Sequence, residues 1–124
     1  MSHGEPVARY LVHKSDFSRE KNRVKPRAFM PPADLKTSLF RTLGLSEDET
    51  WSLGEEFVAR PQKLTLRGRG DLLVCDIAGT GLRVEPDEPP ERHANIVGWS
   101  ADKDKQRSVA QELAARASLK LRAE

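Results

Sequence analysis

The chain has one cysteine, Cys75, among its 124 residues. An intrachain disulfide framework and a thiolate-rich zinc site are therefore both excluded. Long hydrophobic runs are missing too. The longest uninterrupted apolar stretch, Leu72 to Cys75, is four residues, against the roughly 20 a membrane-spanning helix needs, so no membrane association is expected. Met1 to Gly4 leads into no apolar segment of the kind a secretory signal carries, and the expected location is cytoplasmic. Aromatic residues make up only 6% and histidines number three. No H-x-x-x-H or calcium-loop spacing occurs. Asp71, Asp76, Glu85 and Asp87 lie close in sequence without it, so neither a metal nor a cofactor is expected.

Charge is plentiful, at 32% of residues, and almost balanced, with a formal net charge of +2. Its distribution is uneven. Lys14, Arg19, Lys21, Arg23, Lys25 and Arg27 face only Asp16 and Glu20 in the segment 14–27, a local +4. Ser46 to Glu56 carries five acids and no base, and Glu85 to Glu91 carries four acids and no base. Such segregation predicts faces of opposite sign, or one segment neutralising another. A chain of this length forms one domain and buries about two-thirds of its unfolded surface.

Residues 1–6, with Gly4 and Pro6, read as a disordered start to a single domain over 7–122. Val7 to His13 crowds β-branched and aromatic residues and predicts a strand. Lys14 to Pro32, basic and broken by Pro26, Pro31 and Pro32, reads as a functional loop or partly ordered arm. Leu35 to Leu43 predicts a second strand. Ser46-Glu47-Asp48-Glu49 forms a capping box, and its acids suit the positive end of a helix dipole. The helix should run to about Ala59, with Trp51, Leu53, Phe57 and Val58 on its apolar side and Pro61 ending it. Gly54 costs about 1 kcal/mol relative to Ala in such a helix, which suggests close packing there.

Leu64 to Arg69 alternates weakly, and Asp71 to Ile77 predicts a buried strand that contains Cys75 as a small hydrophobe. Ala78 to Gly81 is a turn. Because a strand at Leu82 to Val84 follows it, no helix dipole is present to cradle a phosphate. Pro86, Pro89 and Pro90 mark an acidic loop, and Ala94 to Trp99 a short strand. A final helix spans about 102–117, with Val109, Ala110, Leu113, Ala114 and Ala117 in one stripe, and Leu119 and Leu121 suit a last strand. The order β-loop-β-α-β-β-β-α-β predicts an α+β fold. The expected architecture is a mostly antiparallel sheet with the two helices packed on one face, and Leu72, Val74, Ile77, Val84, Ile96, Val109 and Leu113 buried.

Three stretches taken together, RYLVHKSDFS with RVKPRAFMPP, SLFRTLGLSEDETWSLG, and GLRVEPDEPPERHANIVGW before a Lys- and Gln-bearing helix, resemble a family of small uncharacterised bacterial proteins. The resemblance covers roughly residues 9 to 117. It implies a bacterial cytoplasmic protein and carries no activity or site residue with it.

Two functional readings follow from the residues. In the first, Lys14, Phe17, Arg19, Lys21, Arg23, Lys25 and Arg27 form a binding arm. Its cations would track phosphates of a nucleic acid or meet an acidic partner protein, and its aromatic rings would stack on unpaired bases. Arg67-Gly68-Arg69-Gly70 adds a second basic spot. The structural alternative is an arm neutralised by the acidic helix. In the second reading, His13 and His93 form an acid–base pair, with Arg41 holding the phosphate of a phosphodiester. Its structural alternative has His93 capping a loop carbonyl or partly buried beside Trp99.

Overall fold

The structure, a computed structural model, describes residues 2–123. Six strands form one sheet in the order β6-β7-β4-β1-β5-β8, and every neighbouring pair is antiparallel. They are β1 (Pro6–Leu11), β4 (Thr37–Arg41), β5 (Gly68–Leu73), β6 (Arg83–Pro86), β7 (His93–Val97) and β8 (Ser118–Leu121). A separate two-stranded ribbon pairs β2 (Phe17–Ser18) with β3 (Arg23–Val24). Helix α1 (Glu47–Gly54) continues through a π-helical turn, Glu55–Ala59, into a last turn α2 (Arg60–Gln62); α3 (Val74–Ala78) is short and α4 (Lys103–Arg116) is the longest. The fold is thus a single α+β domain built on an antiparallel sheet.

The central strand explains the layering. Successive side chains of a strand point to opposite faces, and in β1 both sets are apolar. Val7 and Leu11 join Leu39, Leu72, Ile96 and Leu113 in one core. Ala8, Tyr10 and Val12 join Phe40, Leu53, Ala59 and Leu66 in another. A sheet buried on both sides needs cover on both sides. The expectation of two helices on one face is corrected accordingly: α4 covers one face and α1 the other. Of the predicted core, Leu72, Val74, Ile77, Ile96 and Leu113 are buried, while Val84 and Val109 pack against that core partly exposed. Each fully buried Leu or Ile contributes about 1.5–3 kcal/mol.

The capping box forms as expected: the Glu49 N–H donates to Ser46 Oγ and the Ser46 N–H to Glu49 Oε1. Gly54 owes its place to Tyr10, because a Cβ at Gly54 would lie 2.4 Å from the Tyr10 ring. Pro61 does not end the helix. It removes one ladder donor, the preceding turn widens to π geometry, and the helix stops after Gln62 at Lys63, which adopts φ 57°.

The strand expected over Asp71 to Ile77 divides instead. Its first half belongs to β5 and its second half is α3, where Val74 and Ile77 face the core one turn apart. Asp76 Oδ2 accepts the Leu73 N–H at 2.9 Å and starts the helix. Cys75 is consequently exposed rather than buried. The expected disordered start is also more ordered than its composition implies: Pro6 opens β1, Glu5 is buried, and the His3 and Glu5 carbonyls accept N–H bonds from Cys75 and Val74. The Met1 part of that expectation lies outside the described residues.

Candidate functional site

The basic segment is not a loose arm. It folds as a 3-10 turn (Lys14–Asp16), the β2–β3 ribbon and a second 3-10 turn (Pro26–Phe29). Its underside is core, because Phe17, Val24, Ala28 and Phe29 are all buried on the α4 side of the sheet. Gly70 on β5 makes room for it: a Cβ there would meet Val24 Cγ2 at 3.0 Å. Phe17 is 6% exposed and contributes to the lining of an opening between Lys14, Arg19 and Arg67.

The upper side of the segment keeps its cations outward. Lys14, Arg19, Lys21, Arg23, Lys25 and Arg27 are all exposed. Arg27 pairs with Asp16 of the same segment at 3.3 Å. Among the described residues, the side chains of Lys14, Lys21, Arg23 and Lys25 take part in no hydrogen bond or ion pair. Lys14, Arg19 and Arg67 surround an opening of about 520 Å3 that Phe17 also lines, with no carboxylate in the lining among the described residues. Arg19 and Arg67 also line an adjoining opening of about 290 Å3 together with Arg122. Arg67 Nε is buried there with no acceptor among the described residues, an arrangement that native interiors rarely leave without a cause.

The acidic helix is neutralised by other residues. Arg69 on β5 is buried, donates to both Glu47 carboxylate oxygens at 3.0 and 2.6 Å, and reaches Asp71 Oδ1 at 2.9 Å. Its guanidinium lies 4.4 Å from the Trp51 ring centroid, so Trp51 is a half-buried platform rather than a core residue. Hydrogen bonds from Arg69 hold the Glu47 carboxyl below its ordinary range. Burial pushes Asp71 up, although Arg69 opposes it. Tyr10, cross-strand from Arg69, donates its hydroxyl to the Thr50 carbonyl, and burial raises its pKa above the ordinary phenol value. Arg122 pairs with Glu55 at the far end of the helix. These residues clamp α1 to the sheet through Glu47 and Glu55.

The three residues of the phosphodiester reading do not converge. Cross-strand partners share a face of a sheet. His93 is opposite Phe40, and Arg41 is opposite Val7, so the two point to opposite sides. Arg41 is held by buried Glu5, whose hydrogen bond raises its pKa. His13 lies beyond the end of β1 and is exposed. Among the described residues, no group of three His, Cys, Asp or Glu side chains is gathered around a metal-sized space.

His93 instead meets residues that sequence spacing does not reveal. Its Nδ1 lies 2.9 Å from the Asp87 carbonyl oxygen, and its Nε2 lies 2.7 Å from Ser38 Oγ. A carbonyl can only accept, so Nδ1 carries a proton; in the neutral ring Nε2 then presents its lone pair and the Ser38 hydroxyl donates. The Asp87 loop is fixed to β7 by its own N–H to the His93 carbonyl and by Asn95 Nδ2 to Asp87 Oδ2 at 2.8 Å. Phe40 packs edge-on against the imidazole, with centroids 5.3 Å apart. Ser38 is 55 residues away in the chain, and only the β4–β7 register brings it near.

No protein-family model, curated protein or solved structure matches the chain. Among the described residues no helix is long and apolar enough to cross a membrane. The functional argument rests on this geometry.

Proposed function

We propose that the protein is a binding module that grips the phosphate backbone of a nucleic acid through its basic groove. The observation that carries the reading is the opening walled by Lys14, Arg19 and Arg67, together with Arg67 Nε, buried without an acceptor among the described residues. A phosphate oxygen supplies the acceptor that Arg67 Nε lacks among the described residues. Lys21, Arg23 and Lys25, exposed on the same folded segment, extend the positive surface. Phe29 is fully buried and Phe17 nearly so, which favours backbone contact on a duplex over capture of unpaired bases.

Phosphate contacts release counterions, and each steepens the salt dependence by about 0.9 on duplex DNA. Four to six contacts therefore give a log–log slope of about −4 to −5. Replacing Lys14, Arg23 and Lys25 together with Ala should flatten that slope by about 2 to 3. The unfolding midpoint should hardly move, because surface substitutions of this kind stay within about 0.5 kcal/mol. Fluorescence anisotropy with a labelled duplex and a labelled single strand, across a salt series, measures both. Absence of binding to either at low salt would overturn the reading and leave an acidic protein as the partner class. Unchanged binding by the triple variant would place the contact elsewhere.

A further inference from the structure

The Ser38–His93 pair opens onto a pocket of about 250 Å3, independent of the basic groove. Its walls include Leu39, Phe40, Phe57 and Val58, with Arg9 at one side. The pocket sits where the β1–β4 ladder stops. Pairing runs through Val7 with Arg41 and Ala8 with Phe40. Beyond that point the Ser38 carbonyl accepts from Arg9 Nη1 at 2.8 Å, while Arg9 Nε donates to the Ala28 carbonyl. Arg9 thus fixes the Ser38 backbone, and the Ser38 hydroxyl lies at hydrogen-bond distance from His93 Nε2, the nitrogen a general base would use. The base is itself oriented from behind by a carbonyl and from the side by Phe40. A nucleophile hydrogen-bonded to a base that a third group orients is the arrangement serine acyl transfer needs.

We propose that Ser38 and His93 act as nucleophile and general base in the hydrolysis of short-chain carboxylic esters. Ser38 Oγ attacks the ester carbonyl carbon while its proton passes to His93 Nε2. The carbon–oxygen bond to the alcohol then breaks, and His93 delivers that proton to the leaving oxygen, so an alcohol departs and Ser38 holds the acyl group. Water next gives a proton to His93 Nε2 and attacks the acyl carbon. As the acid leaves, the proton returns to Ser38 Oγ, and the net change is ester plus water to acid plus alcohol. The pocket is smaller than the roughly 300–1,000 Å3 of drug-sized sites, and its apolar walls suit an acyl group of a few carbons.

The test treats the full chain with a fluorophosphonate, maps the labelled peptide by mass spectrometry, and follows p-nitrophenyl acetate hydrolysis by absorbance. The expected result is one phosphonyl adduct on Ser38, with hydrolysis reduced about 100-fold in Ser38→Ala and in His93→Gln. No adduct, an adduct on another residue, or wild-type hydrolysis by Ser38→Ala would overturn the proposal. If either variant fails to fold by circular dichroism, the adduct map on the unaltered chain decides alone.

Discussion

The segment 14–27 and the segment 46–56 are mirror images in sequence, one basic and one acidic, yet they use their charge in opposite ways. The acidic segment engages three of its five carboxylates within the fold: Glu47 with Arg69, Glu55 with Arg122, and Glu49 with its own cap. The basic segment is anchored by apolar residues beneath it, and Lys14, Lys21, Arg23 and Lys25 stay in solvent. A charged run therefore says little about function until its partners are known. Charge that closes a fold and charge that awaits a ligand look alike in composition.

The comparison breaks most readily at Phe29, which is fully buried beneath the basic segment. Phe29→Ala should cost about 3–5 kcal/mol by leaving a core cavity, a loss measurable by urea denaturation. A near-silent change would mean that packing does not hold the segment and that the contrast with the acidic helix is misplaced. Gly54→Ala probes the other segment. Its new Cβ would overlap the Tyr10 ring, so the variant should lose about 1–3 kcal/mol from overpacking, against the gain of about 1 kcal/mol that helix propensity alone expects. A stabilised Gly54→Ala would show that α1 docks more loosely than its carboxylate clamps require.

The finest test is one of pH. Arg69 lowers the folded pKa of Glu47 below its ordinary 4.5. A depressed carboxylate contributes stability that is present above its unfolded pKa and lost as pH falls through the folded value. Glu49, lowered by its bond to the Ser46 backbone, acts in the same direction. Asp71, raised above 3.8 by burial, acts in the opposite one and favours the native state as pH falls through its folded value. Glu47→Gln should therefore flatten the loss of stability between pH 5 and acid. Urea midpoints taken over that range would sharpen the comparison if they converge, and would remove Glu47 from the folding role if the two curves run parallel.

Local chemistry was readable before any fold. The cap at Ser46 needs only the order Ser, Glu, Asp, Glu; β1, β4 and β7 follow from β-branched and aromatic clusters; and α4 follows from its stripe of alanines with Val109 and Leu113. Such elements depend on neighbours within a few residues, and those neighbours are written in order. The short apolar run after Asp71 reads as a strand, but so few residues fit the helix period equally well, and Asp76 reaching back to the Leu73 N–H starts the second half as helix.

Long-range choices were not readable. The placement of α1 and α4 on opposite faces depends on both sides of β1 being buried, which a list of apolar residues does not order in space. The candidate residues divide in the same way. Lys14, Arg19 and Arg67 come together around one opening because β1 hands its last carbonyl, that of Leu11, to Arg67. Arg41 and His93 part because one residue of register puts neighbours on opposite faces. Ser38 meets His93 for the same reason, across 55 residues of chain. Side-chain direction in a sheet has a period of two and pairing has no sequence distance, so composition named the charges and the histidine, and register chose their partners.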